Sequence, residues 1–342
     1  MSESNTAPVD ANEAAQGSAN KWLALAAMMF AVSMMFIDQT IVSIAIPTIQ
    51  TELGLSEAGV QWVINGYLLS LSAFFALGGR LSDILGHKRM VLLGVTIFAV
   101  SSALCGATPD NSFAEAWLIV FRIIQGIGAA LLFPAALAIV VSTFPLKERG
   151  KALALFFGIT GGLTAIGPIL GGYLSEWTWR AIFWVNVPVA IIAIVLTLLA
   201  KVHTQHKREP LDYLGAVLIA AGMAFSVLGL QQASSWGWTD PRTIGSIVLG
   251  LILLAIFVKV ETRVKIPLIK VEIFKDRAFF VDNAVLFFAM MAFVPVFFFA
   301  SVYAQAVLGY NATNAGLYLL VFFAGFAPAV QVGGRILDKS GA

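Results

Sequence analysis

The sequence contains few charged residues for its length. Only 12% of its 342 residues are Asp, Glu, Lys or Arg, whereas soluble domains carry about 25%. This shortage excludes an ordinary soluble domain, because too little polar side chain is present to cover a water-exposed surface. Hydrophobic residues make up 59% of the chain, and its mean hydropathy is +0.88. The composition therefore indicates a membrane protein.

Other scarce features exclude several classes of function. The single cysteine, Cys105, rules out an internal disulfide and a cysteine-cluster metal site. The net charge of +2 is too small to indicate nucleic-acid binding. No phosphate-binding loop, catalytic triad or zinc pattern occurs, so we expect neither an enzyme nor a bound cofactor or metal.

Long apolar runs are what the sequence has in abundance. A membrane-spanning helix needs about 20 mostly apolar residues. Ten segments fit, over residues 22–46, 59–79, 90–108, 114–141, 151–174, 180–200, 212–231, 243–260, 279–305 and 313–334. They do not alternate in polarity, which a transmembrane β-strand requires. The sequence therefore predicts an all-α polytopic transmembrane fold.

The basic residues predict the orientation of these helices. With the N-terminus inside, 18 of the 21 Lys and Arg residues fall in cytoplasmic segments, whereas Arg180 and Arg242 fall outside. Arg122 lies within a span. We therefore expect a multi-pass protein of the cell membrane with a cytoplasmic N-terminus, with the lipid bilayer as its surroundings.

A short repeat indicates how the helices are grouped. Residues 78–87 and 333–342 share five of ten positions in a Gly-Gly-Arg-x-x-Asp-x-x-Gly frame. Both copies follow an even-numbered helix, and repeated bundles are typical of secondary transporters. If the second copy marks the same point in a second six-helix bundle, four more helices belong after Ala342. We therefore expect this sequence to lack the end of the protein.

The spans and polar stretches then predict six regions. Residues 1–20 are a disordered cytoplasmic tail, and no short apolar core follows a basic start as in a cleaved signal peptide. Residues 21–200 form an N-terminal six-helix bundle, and 201–210 a basic cytoplasmic linker. Residues 211–260 are a two-helix hairpin, 261–278 an amphipathic cytoplasmic linker, and 279–342 the start of the incomplete C-terminal bundle.

Two ionisable residues within spans are the candidates for chemistry. Asp38 lies in the first span and Arg122 in the fourth, and a charge at the bilayer centre costs about 2.5–3.5 kcal/mol on insertion scales. Such residues mark transport pathways by default. Asp38 has an alternative position near the outer headgroups, and Arg122 an alternative role in bonding backbone carbonyls.

Together these charges suggest a way to couple protons to transport. A carboxylate in a poorly hydrated cavity binds a proton readily, and an approaching guanidinium displaces that proton. A cationic substrate competes with the proton for the same carboxylate. The pair therefore favours proton-coupled transport, with a small substrate and protons as its partners.

Two further segments carry glycine in functional patterns. In the loop from Gly78 to Arg89, we expect the glycines to permit close helix approach and Asp83 to cap a neighbouring helix. This loop is a candidate gate, comprising Gly79, Asp83, Gly86, Lys88 and Arg89. The alternative is a tight basic turn that only sets topology.

The fifth helix is the second such segment. Gly158 with Gly162 and Gly167 with Gly171 are GxxxG pairs, which permit close helix contact. Pro168 removes one backbone hydrogen bond and predicts a bend. Gly167, Pro168, Gly171 and Gly172 form its centre.

Several of these motifs resemble the major facilitator superfamily. Gly79-x-Leu81-Ser82-Asp83-x-x-Gly86-His87-Lys88 resembles its loop 2–3 signature, with Ile84 where a basic residue is common. The segment from Arg122 through Gln125, Gly126 and Gly128 to Ala130 is similar to the fourth-helix signature. Gly167-Pro168-x-x-Gly171-Gly172 is similar to the antiporter signature, with an upstream glycine displaced to Gly162. Asp38 to Val42, Ile46-Pro47, Trp179-Arg180, Ile182-Phe183 and Asn186-Val187-Pro188 resemble the 14-helix drug:proton antiporter branch.

The resemblance implies a fold and an activity. It implies a helical bundle of which about ten of 14 helices are present, with 212–260 as the branch's two extra helices. It places Asp38, Arg122 and Gln125 in the proton-coupling and substrate region. It also implies efflux of lipophilic, cationic drugs by proton antiport. Two alternatives stay open, namely export of one endogenous metabolite such as a lipid-like compound or siderophore, and a non-transporting fragment.

Overall fold

The chain is helical throughout the part that the computed structural model describes. That part comprises residues 11–164, 166–200, 202 and 211–310, with single positions beyond 310. Its α-helices are α1 (Ala11–Leu53), α2 (Glu57–Leu85), α3 (His87–Gly106), α4 (Ala114–Thr143), α5 (Leu146–Thr164), α6 (Ile166–Trp177), α7 (Ala181–Trp184), α8 (Asn186–Leu199), α9 (Tyr213–Trp236), α10 (Pro241–Glu261) and α11 (Arg277–Ala306). A 3-10 helix covers Val271–Lys275. Strands do not occur in these residues, and the all-α class is confirmed.

The number of spans is lower than predicted. Within the described ranges, eight segments are long and apolar enough to cross a bilayer, against ten predicted. The fifth segment joins α5 and α6, and the sixth joins α7 and α8. The ninth predicted span coincides with α11, whose helix is described in full although some of its side chains are not. The tenth, 313–334, and the second copy of the repeat lie outside it apart from single positions, as does most of the linker 201–210.

Helices continue beyond the apolar runs that predicted them. α2 ends at Leu85 and α3 begins at His87, so the predicted loop is helical except at Gly86. α1 begins at Ala11, inside the predicted disordered tail. This tail segment is rich in alanine and has no proline after Pro8, which favours helix. Apolar composition shows which part of a helix lies in hydrocarbon. The helix itself ends where its backbone hydrogen bonds end, which here is within the neighbouring polar segments.

Local signals in the sequence set several helix ends. Four helices begin at a residue whose side-chain oxygen accepts a hydrogen bond from a backbone N–H in the first turn. These capping residues are Ser56, Asp212, Asp240 and Asp276. Pro241 stands at the first turn of α10, where its missing N–H costs nothing. Gly86 and Gly237 end α2 and α9 with φ of 98°, a backbone conformation that favours glycine.

Glycines bring α2, α3 and α4 into close contact. A Cβ on Gly78 of α2 would overlap the carbonyl oxygen of Ala130 on α4. On α4 itself, Gly126 faces the backbone of Tyr67 in α2, and Gly128 faces the backbone of α3 at Phe98. Two residues along a helix differ by about 200° in direction, so these glycines serve opposite faces. α4 is thereby held between α2 and α3, and its residue Arg122 is buried.

The two helices after the linker form a hairpin that packs on α2. Gly222 and Gly229 of α9 lie against Leu254 and Ile247 of α10. Near the end of α9, the Ser235 hydroxyl donates to Oε1 of Gln61 in α2 at 2.7 Å. The hairpin therefore contacts the N-terminal helices through α2.

Candidate functional site

Asp38 and Arg122 form an ion pair inside the helical bundle. Nη1 of Arg122 lies 2.5 Å from Oδ2 of Asp38. The side chain of Asp38 is 0% exposed and that of Arg122 is 2% exposed. The carboxylate of Asp38 therefore contacts protein groups and not solvent, while its depth in the bilayer stays a prediction.

The remaining carboxylate oxygen of Asp38 has two amide donors. Oδ1 accepts from Nε2 of Gln125 at 2.9 Å and from Nδ2 of Asn186 at 3.2 Å. Oε1 of Gln125 in turn accepts from Nη1 of Arg122 at 2.7 Å. Three helices, α1, α4 and α8, thus supply the groups around one carboxylate. A buried charge requires such partners, because it has lost its water.

Arg122 is fixed by contacts beyond the carboxylate. Its Nε donates to the carbonyl oxygen of Val63 on α2 at 3.0 Å. Its guanidinium lies 4.4 Å from the ring centre of Tyr67, also on α2. Arginine stacks on aromatic faces in this manner. The backbone-bonding role considered for Arg122 and its pairing with Asp38 therefore occur together.

Asn186 and Ser102 extend the hydrogen bonds towards α3 and α7. Nδ2 of Asn186 donates to Oγ of Ser102 at 2.9 Å, and this hydroxyl donates to the carbonyl oxygen of Phe183 at 2.9 Å. We call Asp38, Arg122, Gln125, Asn186 and Ser102 the Asp38 network.

Asn186 and Ser102 were not predicted as site residues from the sequence. Asn186 appeared only within a motif, and Ser102 not at all. In the sequence, Asn186 is an amide two residues before Pro188 within an apolar run, and Ser102 is a serine within another apolar run. Small polar residues are common in spans, so this signal alone identifies no site.

The Asp38 network lies between two apolar clusters. On α1, Met34 and Met35 belong to a cluster on one side, while Ile41 and Val42 belong to one on the other. The side chains on either side of Asp38 along the helix are thus shielded from water. Electrostatic attraction is strong in such surroundings because the effective dielectric constant is low.

The predicted gate residues lie apart from this network. Gly79 and Asp83 are in the last turns of α2, Gly86 is the connection, and Lys88 and Arg89 are in the first turn of α3. An α-helix rises 1.5 Å per residue, so Gly79 is about 18 Å from Tyr67 along α2.

The predicted capping role of Asp83 does not occur at α3. Asp83 is exposed, and the N-terminus of α3 has no side-chain cap. Instead, Oγ of Ser82 lies 2.5 Å from Nδ1 of His87, joining the two helices across Gly86. The shortness of the turn explains this, because one residue leaves Asp83 on the outer side of α2.

The fifth-helix glycines divide into two groups. Gly167 and Gly171 of α6 face α1, where a Cβ on Gly171 would lie 3.1 Å from the carbonyl oxygen of Ile41. By contrast, Gly158 and Gly162 of α5 have open space at their Cβ positions. The predicted close contact therefore forms at one GxxxG pair only. Gly172 is half-buried beside them, and the side chain of Pro168 lies outside the described residues.

Comparisons with known proteins identify the family. A family model described as Major Facilitator Superfamily matches residues 28–342. The tetracenomycin C resistance and export protein of Streptomyces glaucescens is 35% identical over 323 residues, which are 94% of this chain and 59% of that relative. The multidrug resistance protein Stp of Mycobacterium tuberculosis is 31% identical over 323 residues, with the same coverage. The chain thus spans 59% of the length of these two relatives.

A solved structure supports the same fold. The proton:xylose symporter XylE bound to 6-bromo-6-deoxy-D-glucose superposes with a TM-score of 0.58 at 14% identity, over 94% of this chain and 70% of that chain. At this identity the likeness concerns the fold alone. The matched family consists of membrane transporters and not of enzymes. By its sequence match and its fold, the chain belongs to the Major Facilitator Superfamily.

Proposed function

We propose that the protein is a secondary active exporter that exchanges lipophilic, cationic compounds for protons at Asp38. The observation that carries this proposal is the fully buried carboxylate of Asp38, paired with Arg122 between two apolar clusters. Buried ionisable groups in spans mark proton and substrate pathways. The names of the two relatives, a resistance and export protein and a multidrug resistance protein, support export as the direction.

The geometry suggests why proton binding would accompany a movement of helices. Oδ2 of Asp38 is in contact with Arg122, and Oδ1 already accepts two hydrogen bonds. A proton therefore competes with these donors for the carboxylate. Protonation removes the charge that holds Arg122, which frees α1 to separate from α4. A cationic substrate would replace the proton at the same carboxylate.

The proposed orientation follows from the basic residues. The connection between α2 and α3 carries Lys88 and Arg89, and the one between α4 and α5 carries Lys147 and Arg149. We place both in the cytoplasm of a cell-membrane protein, together with the N-terminus. The connection at Gly86 then closes the cytoplasmic end as a gate, and the fifth membrane-spanning helix bends at Pro168 during antiport. The proposal also includes the six regions that the sequence predicts.

Vesicle transport tests the proposal. The protein is expressed from its own gene in a drug-sensitive host, and ethidium transport driven by a pH gradient is measured in everted membrane vesicles. Asp38→Asn keeps the size of the side chain but replaces one of its two acceptor oxygens with an NH2 donor and cannot cycle a proton, so we expect transport to stop. Glu57→Gln, an exposed change at the start of α2, is the control. Proton-driven transport by Asp38→Asn would refute the proposal.

Export of a single compound is the second candidate. One relative is named for resistance to and export of a single antibiotic, tetracenomycin C, and the other for multidrug resistance. A deletion strain exposed to a panel of unrelated drugs separates the two. Sensitivity to many compounds indicates a multidrug exporter, and sensitivity to one indicates a dedicated exporter. If the protein does not transport, its deletion should leave the sensitivity to every compound unchanged.

A further inference from the structure

A proline leaves one backbone carbonyl of α5 without its helical donor. In an α-helix, the N–H of residue 168 would bond the carbonyl oxygen of residue 164. Residue 168 is proline, which has no N–H. The carbonyl of Thr164 therefore needs a donor from elsewhere, because an unpaired polar group away from water is costly.

Thr40 of α1 supplies such a donor. Its Oγ1 lies 3.1 Å from the carbonyl oxygen of Thr164. The same hydroxyl lies 3.1 Å from the carbonyl oxygen of Ile37 and 3.4 Å from that of Phe36, both in its own helix. A hydroxyl has one proton, so it donates to one of these oxygens at a time.

Gly167 makes this approach sterically feasible. A Cβ at this position would overlap Oγ1 of Thr40 and lie 2.9 Å from its Cβ. It would also lie 3.2 Å from the carbonyl oxygen of Ile37. Any residue larger than glycine would therefore push α1 away. Gly167 thus leaves space for the side chain of Thr40. Its neighbour Pro168 leaves the carbonyl of Thr164 without a helical donor, and Thr40 supplies that donor.

The same turn of α1 carries Asp38. Thr40 is two residues after Asp38, which places the two side chains about 200° apart around the helix. Asp38 accordingly faces α4 and α8, while Thr40 faces Thr164 at the end of α5. The hydrogen bond to Thr164 therefore joins the end of α5 to the turn that positions the carboxylate.

We infer that Thr40 is a positioning residue that supplies the hydrogen bond missing at Pro168 and ties the end of α5 at Thr164 to the turn of α1 that carries Asp38. When Thr164 moves away, the hydroxyl donates to Ile37 instead and stays bonded. The tie is therefore reversible. It goes beyond the proposed antiport, because it concerns helix coupling whatever the substrate.

A double-mutant cycle tests this inference. Thr40→Val keeps the shape and removes the donor, while Thr40→Ser keeps the donor. Pro168→Ala returns an N–H to the carbonyl of Thr164, so the Thr40 bond becomes dispensable. Hydrogen–deuterium exchange of residues 160–175 is followed in purified protein without substrate or a proton gradient.

We expect Thr40→Val to speed this exchange about fivefold to tenfold, the effect of one lost hydrogen bond. Thr40→Ser should exchange at the wild-type rate, and Thr40→Val should have no further effect in the Pro168→Ala background. Equal effects of Thr40→Val in both backgrounds would overturn the inference, as would a Thr40→Ser protein as fast as Thr40→Val.

If Thr40→Val does not fold, the same cycle still decides. Recovery of folded protein on adding Pro168→Ala supports the tie, and continued misfolding contradicts it. Transport plays no part in this readout. A failed antiport proposal at Asp38 and a failed tie at Thr40 are therefore seen in different experiments.

Discussion

At the scale of single residues, the account depends on how the groups around Asp38 share its two oxygens. Arg122 holds one oxygen, and Gln125 and Asn186 hold the other. Ser102 contacts Asn186 and is one step further away. The effect of a substitution should therefore decrease with the number of hydrogen bonds between that residue and the carboxylate.

Asn186 and Ser102 test this gradient. A hydrogen bond to a charged group contributes about 1.5–3 kcal/mol, so we expect Asn186→Ala to reduce ethidium transport at least tenfold. Ser102→Ala should reduce it about threefold, since Asn186 keeps its bond to Asp38. Initial rates in vesicles with equal amounts of protein measure both. A larger loss from Ser102→Ala than from Asn186→Ala would contradict the order.

Arg122→Lys tests whether charge alone is sufficient. Lysine keeps the charge but loses the bond from Nε to Val63 and the stacking on Tyr67. We expect a loss of transport of at least tenfold and a lower melting temperature in detergent. The same change at an exposed arginine, Arg242→Lys, is the control for melting. Full activity of Arg122→Lys would show that the geometry around the guanidinium is unimportant.

At the scale of elements, glycine contacts hold the helices at short distances. Gly78 faces the backbone of α4, whereas Gly162 faces open space. The GxxxG spacing does not distinguish these environments, because a sequence pattern does not show which face meets another helix. This is why one fifth-helix pair matched the prediction and the other did not.

A matched pair of alanine substitutions checks this difference. Gly78→Ala inserts a methyl group against a backbone carbonyl, and overpacking typically costs about 1–3 kcal/mol. We expect its melting temperature to fall by several degrees. Gly162→Ala should melt within about one degree of the wild type or higher, because alanine favours helix. Equal melting of the two variants would refute the assigned contacts.

Helix type and approximate position were predictable from the sequence, but helix ends were not. The apolar runs located the helices within the membrane. The helix from Ala11 and the continuation of α2 to Leu85 depend on backbone hydrogen bonding in polar segments, which hydropathy does not measure. Likewise, the free-energy cost of a charge in the bilayer was enough to predict that Asp38 and Arg122 act together. The contact of Asn186 with Asp38 could not be predicted, because it depends on how α8 packs against α1.

At the scale of the whole molecule, the distribution of basic residues predicts the orientation in the membrane. The only cysteine, Cys105, is buried in an apolar cluster, so alanine is the replacement that gives a cysteine-free background without burying a new hydroxyl. Single cysteines at Lys88 and Lys147 then mark the ends proposed to be cytoplasmic, and one at Asn111 marks the opposite end.

Labelling by a membrane-impermeant maleimide reads out this topology. In intact cells we expect Asn111→Cys to be labelled and Lys88→Cys and Lys147→Cys to be protected. In everted vesicles the pattern should reverse. Labelling of Lys88→Cys and Asn111→Cys from the same side would contradict the proposed arrangement of α2, α3 and α4.

The central claim is that Asp38 exchanges a proton for a cationic substrate, and substrate-induced proton release tests it most directly. Ethidium is added to purified protein in weakly buffered detergent solution, and the pH change is recorded. Wild-type protein and Glu57→Gln are predicted to release protons, and Asp38→Asn to release none while still folded. Equal proton release by Asp38→Asn would contradict the account, because the exchanged proton would then come from another group.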